Sequence, residues 1–174
     1  MNLMEIMKDT FKPFLDGEKK PVNVGEAGNL WLFLGGAEQF LREEQAALNV
    51  VQDEELKEKL VDLIENVHKP MIVELREFLA DVGVASPVTL PEKPRVEFTE
   101  IPEAAKLSDN EIANLIANNL TLGITYAARG LSESVRADVS WMFAKFQMRK
   151  IMFALTFKPL MEEKGWLRVP PAFR

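Results

Sequence analysis

The chain has 174 residues, 47% hydrophobic and 28% charged, with a net charge of −6, no cysteine and one histidine. That is length for one domain with a sizeable core, in ordinary globular proportions. It excludes a disulfide scaffold, a cysteine nucleophile and thiolate metal sites, routes any imidazole chemistry through His68, and disfavours nucleic acid as a partner because phosphates need a basic face.

The N-terminus sets Glu5, Lys8 and Asp9 among Leu3, Ile6, Met7 and Phe11. This is an amphipathic segment within residues 1–24, without the form of a secretory signal. No run of about 18 apolar residues follows anywhere, so no membrane span is expected and a cytoplasmic location is the default. After the turn-rich stretch Asp16–Pro21, a first long helix is expected from roughly Glu26 to Val51, where Leu30, Leu34, Ala37, Leu41 and Leu48 recur at helical spacing. Asp53 is placed to cap a second helix that carries Leu56, Leu60, Leu63, Val67, Met71 and Leu75. Pro70 should kink it, since it removes an amide donor and crowds the preceding turn. Gly83 with Val84 behind it reads as a Schellman stop.

Residues 84–107 hold Pro87, Pro91, Pro94 and Pro102 and no sustained periodicity, which reads as a linker. Ser108 and Glu111 form a capping box for a third helix with Ile112, Leu115, Ile116 and Leu120, expected to break at Gly130 and Ser132. A fourth helix, from about Ser132 to Lys164, is rich in large apolar residues and stops at Gly165 before Pro170-Pro171. Its aromatic run from Trp141 to Phe157 could line a flat cofactor, but a helix buried by three neighbours explains it better.

Linker length decides the topology. A helix of about 29 residues is roughly 43 Å long, and about 24 extended residues reach roughly 80 Å. The linker can therefore cross the whole bundle. The expected fold class is all-α: a ferritin-like four-helix bundle over 25–172, two antiparallel hairpins joined by a crossover at 84–107. An up-down bundle with a wandering loop is the alternative.

Charge is unevenly spread. Glu38 to Asp81 holds twelve acids and five bases, whereas Ser108 to Arg168 holds six acids and eight bases. Two solvated faces attracting within one fold is the plain reading, and complementarity between copies of the chain is the sharper one.

Carboxylate-bridged metal pairs in such bundles take a Glu from each of two helices and Glu-x-x-His from each of the other two. Here Glu65-Asn66-Val67-His68 lies mid-helix, and Glu38 lies in the first helix's apolar stripe. Glu38, Glu65 and His68 are thus three candidate metal ligands for Fe or Mn. The bland alternative makes Glu65 and His68 a surface pair. Aligning the two glycine stops sets Gln147 opposite Glu65 and Lys150 opposite His68, and Thr121 falls opposite Glu38. An ammonium at Lys150 repels a cation and would pair with Glu38 or Glu65. A working two-metal centre is not expected. A single-metal site or an ion-paired relic fits the residues.

No P-loop motif occurs, and Gly35-Gly36 reads as close helix packing. Ser132 and Ser134 read as helix-start caps. Arg129, Arg136, Lys145, Arg149 and Lys150 form a basic streak, by default solvated or ion-paired.

Three runs carry a family resemblance: Asn29-Leu30-Trp31, the stop Glu74-Leu75-Arg76-x-Phe78-Leu79-x-x-x-Gly83 with Pro87 behind it, and Glu163-Lys164-Gly165-Trp166-Leu167-x-Val169-Pro170-Pro171. Together they resemble a family of ferritin-like proteins from endospore-forming bacteria, similar to spore coat proteins of the CotF type, over about residues 25–172. The resemblance implies a ferritin-like bundle, often doubled in tandem in family members, and a place in or around the spore coat. It implies no catalytic residue, because the matched positions are helix ends and packing residues. The expectation is therefore a non-catalytic structural or interaction protein with a degenerate metal site and no required cofactor. Its partners would be other spore coat or cellular proteins, with a homo-dimer left open. The alternatives are an Fe/Mn-binding oxidoreductase using Glu38, Glu65 and His68, and a carrier of apolar ligands.

Overall fold

Capping chemistry sets the helix boundaries seen in the computed structural model, which describes residues 20–173. The segment expected within residues 1–24 falls mostly outside them. Asn23 and Glu26 form a capping box that starts α1, Val24–Ala47, slightly earlier than its apolar stripe suggested. Asp53 accepts from the Leu56 amide and opens α2. This second helix has three pieces: an α segment Glu54–Asp62, a π segment Leu63–His68 and an α segment Lys69–Asp81. The Ser108–Glu111 box opens α3, Asp109–Glu133, and α4 is Ala137–Glu163. The described residues contain no strand.

Both glycine stops form as expected. Gly83 and Gly165 have φ of 72° and 70°, and the amides of Val84 and Trp166 reach back to the carbonyls of Leu79 and Met161 at 2.9 and 2.8 Å. The break expected at Gly130 and Ser132 comes just after them. The helix continues to Glu133, and Gly130 instead admits Phe143, whose ring lies 2.5 Å from where a Cβ would stand.

Hydrogen bonds at the bundle ends give the topology. The Asp109 carboxylate accepts from the amides of Gln52 and Asp53 at 2.9 and 3.0 Å, so α3 starts beside the start of α2. Lys164 pairs with Asp53 at 2.8 Å, bringing the end of α4 to the same place. At the other end Asn29 donates to Glu133, and Glu26 accepts from the amides of Val135 and Arg136. Hence α1–α2 and α3–α4 are antiparallel hairpins, α2 and α3 run parallel, and residues 84–107 cross back along the bundle. Arg42 of α1 and Asn49 in the turn that follows it hold that crossover by donating to the carbonyls of Leu90 and Pro94. One core, lined by Leu30, Leu60, Ile116, Phe143 and their neighbours, runs through all four helices.

Candidate functional site

In α1 the core stripe runs Leu30, Leu34, Ala37, Leu41, Glu44, Leu48; in α4 it runs Val139, Phe143, Phe146, Lys150, Phe153, Phe157. Both alternate steps of three and four, which keeps side chains on one helical face. One carboxylate and one ammonium therefore enter the core by register. Their relative exposures are 0% and 1%.

α2 supplies His68 by a different device. Pro70 has no amide to donate, and the disruption it causes takes the form of the π segment before it, closed by the Lys69 amide on the Ile64 carbonyl. In an uninterrupted α-helix His68, eight residues beyond Leu60, would stand about 80° off the core line. The residue absorbed by a π turn takes back up to about 100°. His68 is fully buried as a result. From α3 comes space: a Cβ at Gly123 would lie 2.7 Å from Lys150 Cε, so only glycine admits the lysine stem there.

The three polar groups join in a line. His68 Nδ1 lies 2.6 Å from Glu44 Oε2, and His68 Nε2 lies 2.6 Å from Lys150 Nζ. A carboxylate only accepts and an ammonium only donates, so Nδ1–H donates to Glu44 and Nε2 accepts from Lys150. Burial pushes the His68 pKa down, the Lys150 charge pushes it further, and Glu44 opposes both. Burial likewise lowers Lys150, to about 8, against the pull of Glu44. At neutral pH the line reads carboxylate, neutral imidazole, ammonium, with no net charge. Phe40 closes it on one side, its ring centroid 5.9 Å from Lys150 Nζ. A narrow crevice beside Gly36, Phe40, Gly123 and Tyr126, too tight to hold a water molecule, ends at Lys150.

The three residues proposed as metal ligands do not gather. Glu38 is buried but pairs with Arg76, whose Nε donates at 2.9 Å. Glu65 has a half-exposed side chain paired with Lys69 at 2.6 Å. His68 alone reaches the centre. The reason is again the π turn: the i, i+3 spacing that sets Glu65 and His68 on one face holds only in an α-helix. Among the described residues no group of three or more His, Asp or Glu is placed to hold a metal ion. Nor do the residues at the centre suit a divalent cation, because Lys150 already occupies the free nitrogen of the imidazole. Lys150 thus faces His68, the position it was aligned with, and pairs with neither Glu38 nor Glu65.

Glu44 escaped the sequence reading although its signal was present, midway between Leu41 and Leu48 in the stripe. Much of the basic streak is ion-paired, Arg129 with Glu133, Arg136 with Asp138 and Lys145 with Glu74. Nor is α4 buried all round: Trp141 is 52% exposed. No helix among the described residues is long and apolar enough to cross a membrane.

Comparison with known proteins agrees with this architecture. The model of the DUF3231 family, proteins of unknown function, matches residues 11–174, and the chain belongs to that family. It is 30% identical over 154 residues to the uncharacterized protein YvdQ of Bacillus subtilis, covering 88% of this chain and 90% of that protein. A crystal structure of a "putative spore coat protein" from Bacillus halodurans is similar with a TM-score of 0.85 and 28% identity, over 89% of this chain and 97% of that one. A conserved hypothetical protein of Mycobacterium tuberculosis shares the fold, with a TM-score of 0.65 at 13% identity over 86% of this chain and 96% of that one.

Proposed function

We propose that this DUF3231 chain is a non-catalytic structural or interaction protein of the spore coat, built on a ferritin-like bundle whose metal centre has been replaced by an ion-paired relic. One observation carries the reading. At mid-bundle the only imidazole of the chain is held between Glu44 and an ammonium, with both ring nitrogens engaged at 2.6 Å. Groups that could bind a cation are already neutralised by Lys150, and all three side chains are buried. Single-crossover topology supports the ferritin-like descent, and likeness to the Bacillus halodurans protein supports the coat association. Its partners would be other coat proteins, reached through the bundle's surface.

Two measurements test this. The purified protein, loaded anaerobically with Fe(II) or Mn(II) and desalted, should retain no stoichiometric metal by elemental analysis, as should the His68→Ala variant. Metal bound by the first and lost by the second would sink the relic reading and revive an oxidoreductase. In sporulating Bacillus, a tagged copy should fractionate with the extracted coat; recovery only in the soluble cell fraction would remove the coat role.

A further inference from the structure

α4 carries a second apolar stripe. Trp141, Met148, Met152 and Leu155 repeat at steps of seven, four and three and are 52%, 58%, 56% and 62% exposed. At 100° per residue they fall within about 60° of one another, on the side of the helix opposite Lys150. A helix that is apolar on opposite faces is built to be covered on both. Beside the stripe, α2 and α4 form a groove of about 630 Å³, floored by Val67, Ala144 and Phe153 and edged by Asp62, Met148 and Arg149. The four exposed side chains alone offer on the order of 450 Å² of apolar surface, more than half of the roughly 800 Å² per partner in a stable interface.

Charge indicates what covers this face. Between Ser140 and Leu160, α4 holds Lys145, Arg149, Lys150 and Lys158 and no acid, and of these only Lys150 lies within the core. Across the groove, residues 54–66 of α2 hold five acids and two bases. Arg149 Nη1 is shielded from solvent and has no hydrogen-bond partner. From this we infer that the α2–α4 face docks a second copy of the chain, about a two-fold axis running along the groove. That axis lays each basic α4 over the acidic α2 of the other copy and seats Met148 and Met152 in the opposite groove. A two-fold axis across the helices would instead stack α2 on α2, acid against acid. Arg149 and Asp62 border the same groove little more than a helical turn apart in height, about the reach of an arginine side chain, so the inferred axis brings each Arg149 to the other copy's Asp62. A dimer of this kind is compatible with any role of the chain, the coat role above included, and its test does not involve spores.

Sedimentation equilibrium on the full-length protein across the micromolar range should show a dimer. Met148→Asp combined with Met152→Asp, both surface changes that leave far-UV circular dichroism unaltered, should weaken association by about 100-fold or more. Arg149→Glu and Asp62→Arg should each dissociate the dimer, and mixing these two variants should restore it as a heterodimer, since every contact then pairs opposite charges. A wild-type protein that stays monomeric overturns the inference. So does a dimer untouched by the methionine changes, or a mixture that fails to re-associate. A chain beginning at Lys20 that dimerises while the full-length chain does not also overturns it, by giving the face to residues 1–19.

Discussion

Deleting charges from the Glu44–His68–Lys150 line one at a time and then together tests the central feature of this core. Lowering the Lys150 pKa from 10.5 to about 8 means that the buried ammonium costs about 3 kcal/mol at pH 7. Removing it alone is nevertheless expected to hurt. In Lys150→Met the Glu44 carboxylate would keep only the His68 N–H, with its Oε1 already unpartnered, and His68 Nε2 would lose the donor that even a neutral Lys150 still supplies. Breaking one member out of a buried charged set costs about 3–5 kcal/mol. Glu44→Leu should cost a similar amount by stranding the ammonium. The triple variant Glu44→Leu, His68→Leu, Lys150→Met strands nothing. It should lie within about 1 kcal/mol of wild type or be more stable by about 1–4 kcal/mol.

Urea unfolding at pH 7 reads these differences as midpoint shifts at constant slope. The same line sets a pH dependence. Between about pH 8 and 10.5 the unfolded chain holds a proton on Lys150 that the folded chain has released, so stability rises with pH across that window by up to about 3 kcal/mol. His68 acts in the same sense at acid pH. Its folded pKa is lowered, so below about 6.5 the unfolded chain takes up a proton first and stability falls as pH falls. The triple variant should lack both slopes. Single variants within about 0.5 kcal/mol of wild type, or a triple variant as unstable as the sum of its parts, would refute the reasoning.

Other residues give further expectations. Burial alone would raise the Glu26 pKa, but amides of Arg136, Asn23 and Val135 donate to its carboxylate and hold it below the usual range. Glu26→Ala should therefore cost about 2–4 kcal/mol in urea at pH 7, and the difference should shrink as pH falls below about 4.5, where the wild type loses that contribution. Gly130→Ala, with its new Cβ 2.5 Å from the rigid Phe143 ring, should destabilise by about 1–3 kcal/mol. Gly123→Ala meets the flexible Lys150 stem instead. It should cost less, and it should shift the alkaline part of the stability profile by moving the ammonium off His68. Gly83→Ala, at φ 72°, should cost about 1 kcal/mol and lower Tm by about 2–4 °C in a calorimetric scan.

Local chemistry settles within a few residues, and for that reason most of the fold could be read from the chain. The Ser108–Glu111 box, the Asp53 cap and the Gly83 and Gly165 stops each depend only on their own neighbours, and all four stand where the residues place them. Linker length and helix length together permitted the crossover over an up-down alternative, and the Asp109 bonds to Gln52 and Asp53 realise it. The site was legible only in part. His68 was marked by being unique, and Lys150 by its alignment with it. Periodicity also held Glu44 in the stripe, yet a single charged residue there reads equally well as an edge position. Tertiary structure decided the rest. Pro70 could have kinked α2 in several ways, and the packing of α2 against α1 and α4 selected the π turn that sends His68 inward and leaves Glu65 with Lys69. Gly130 reads as a helix breaker by propensity; the Phe143 ring that fills its place lies on another helix, where no local rule can see it. What one residue does to its own backbone is written in the sequence; which charges meet in the core is settled only when four helices close around them.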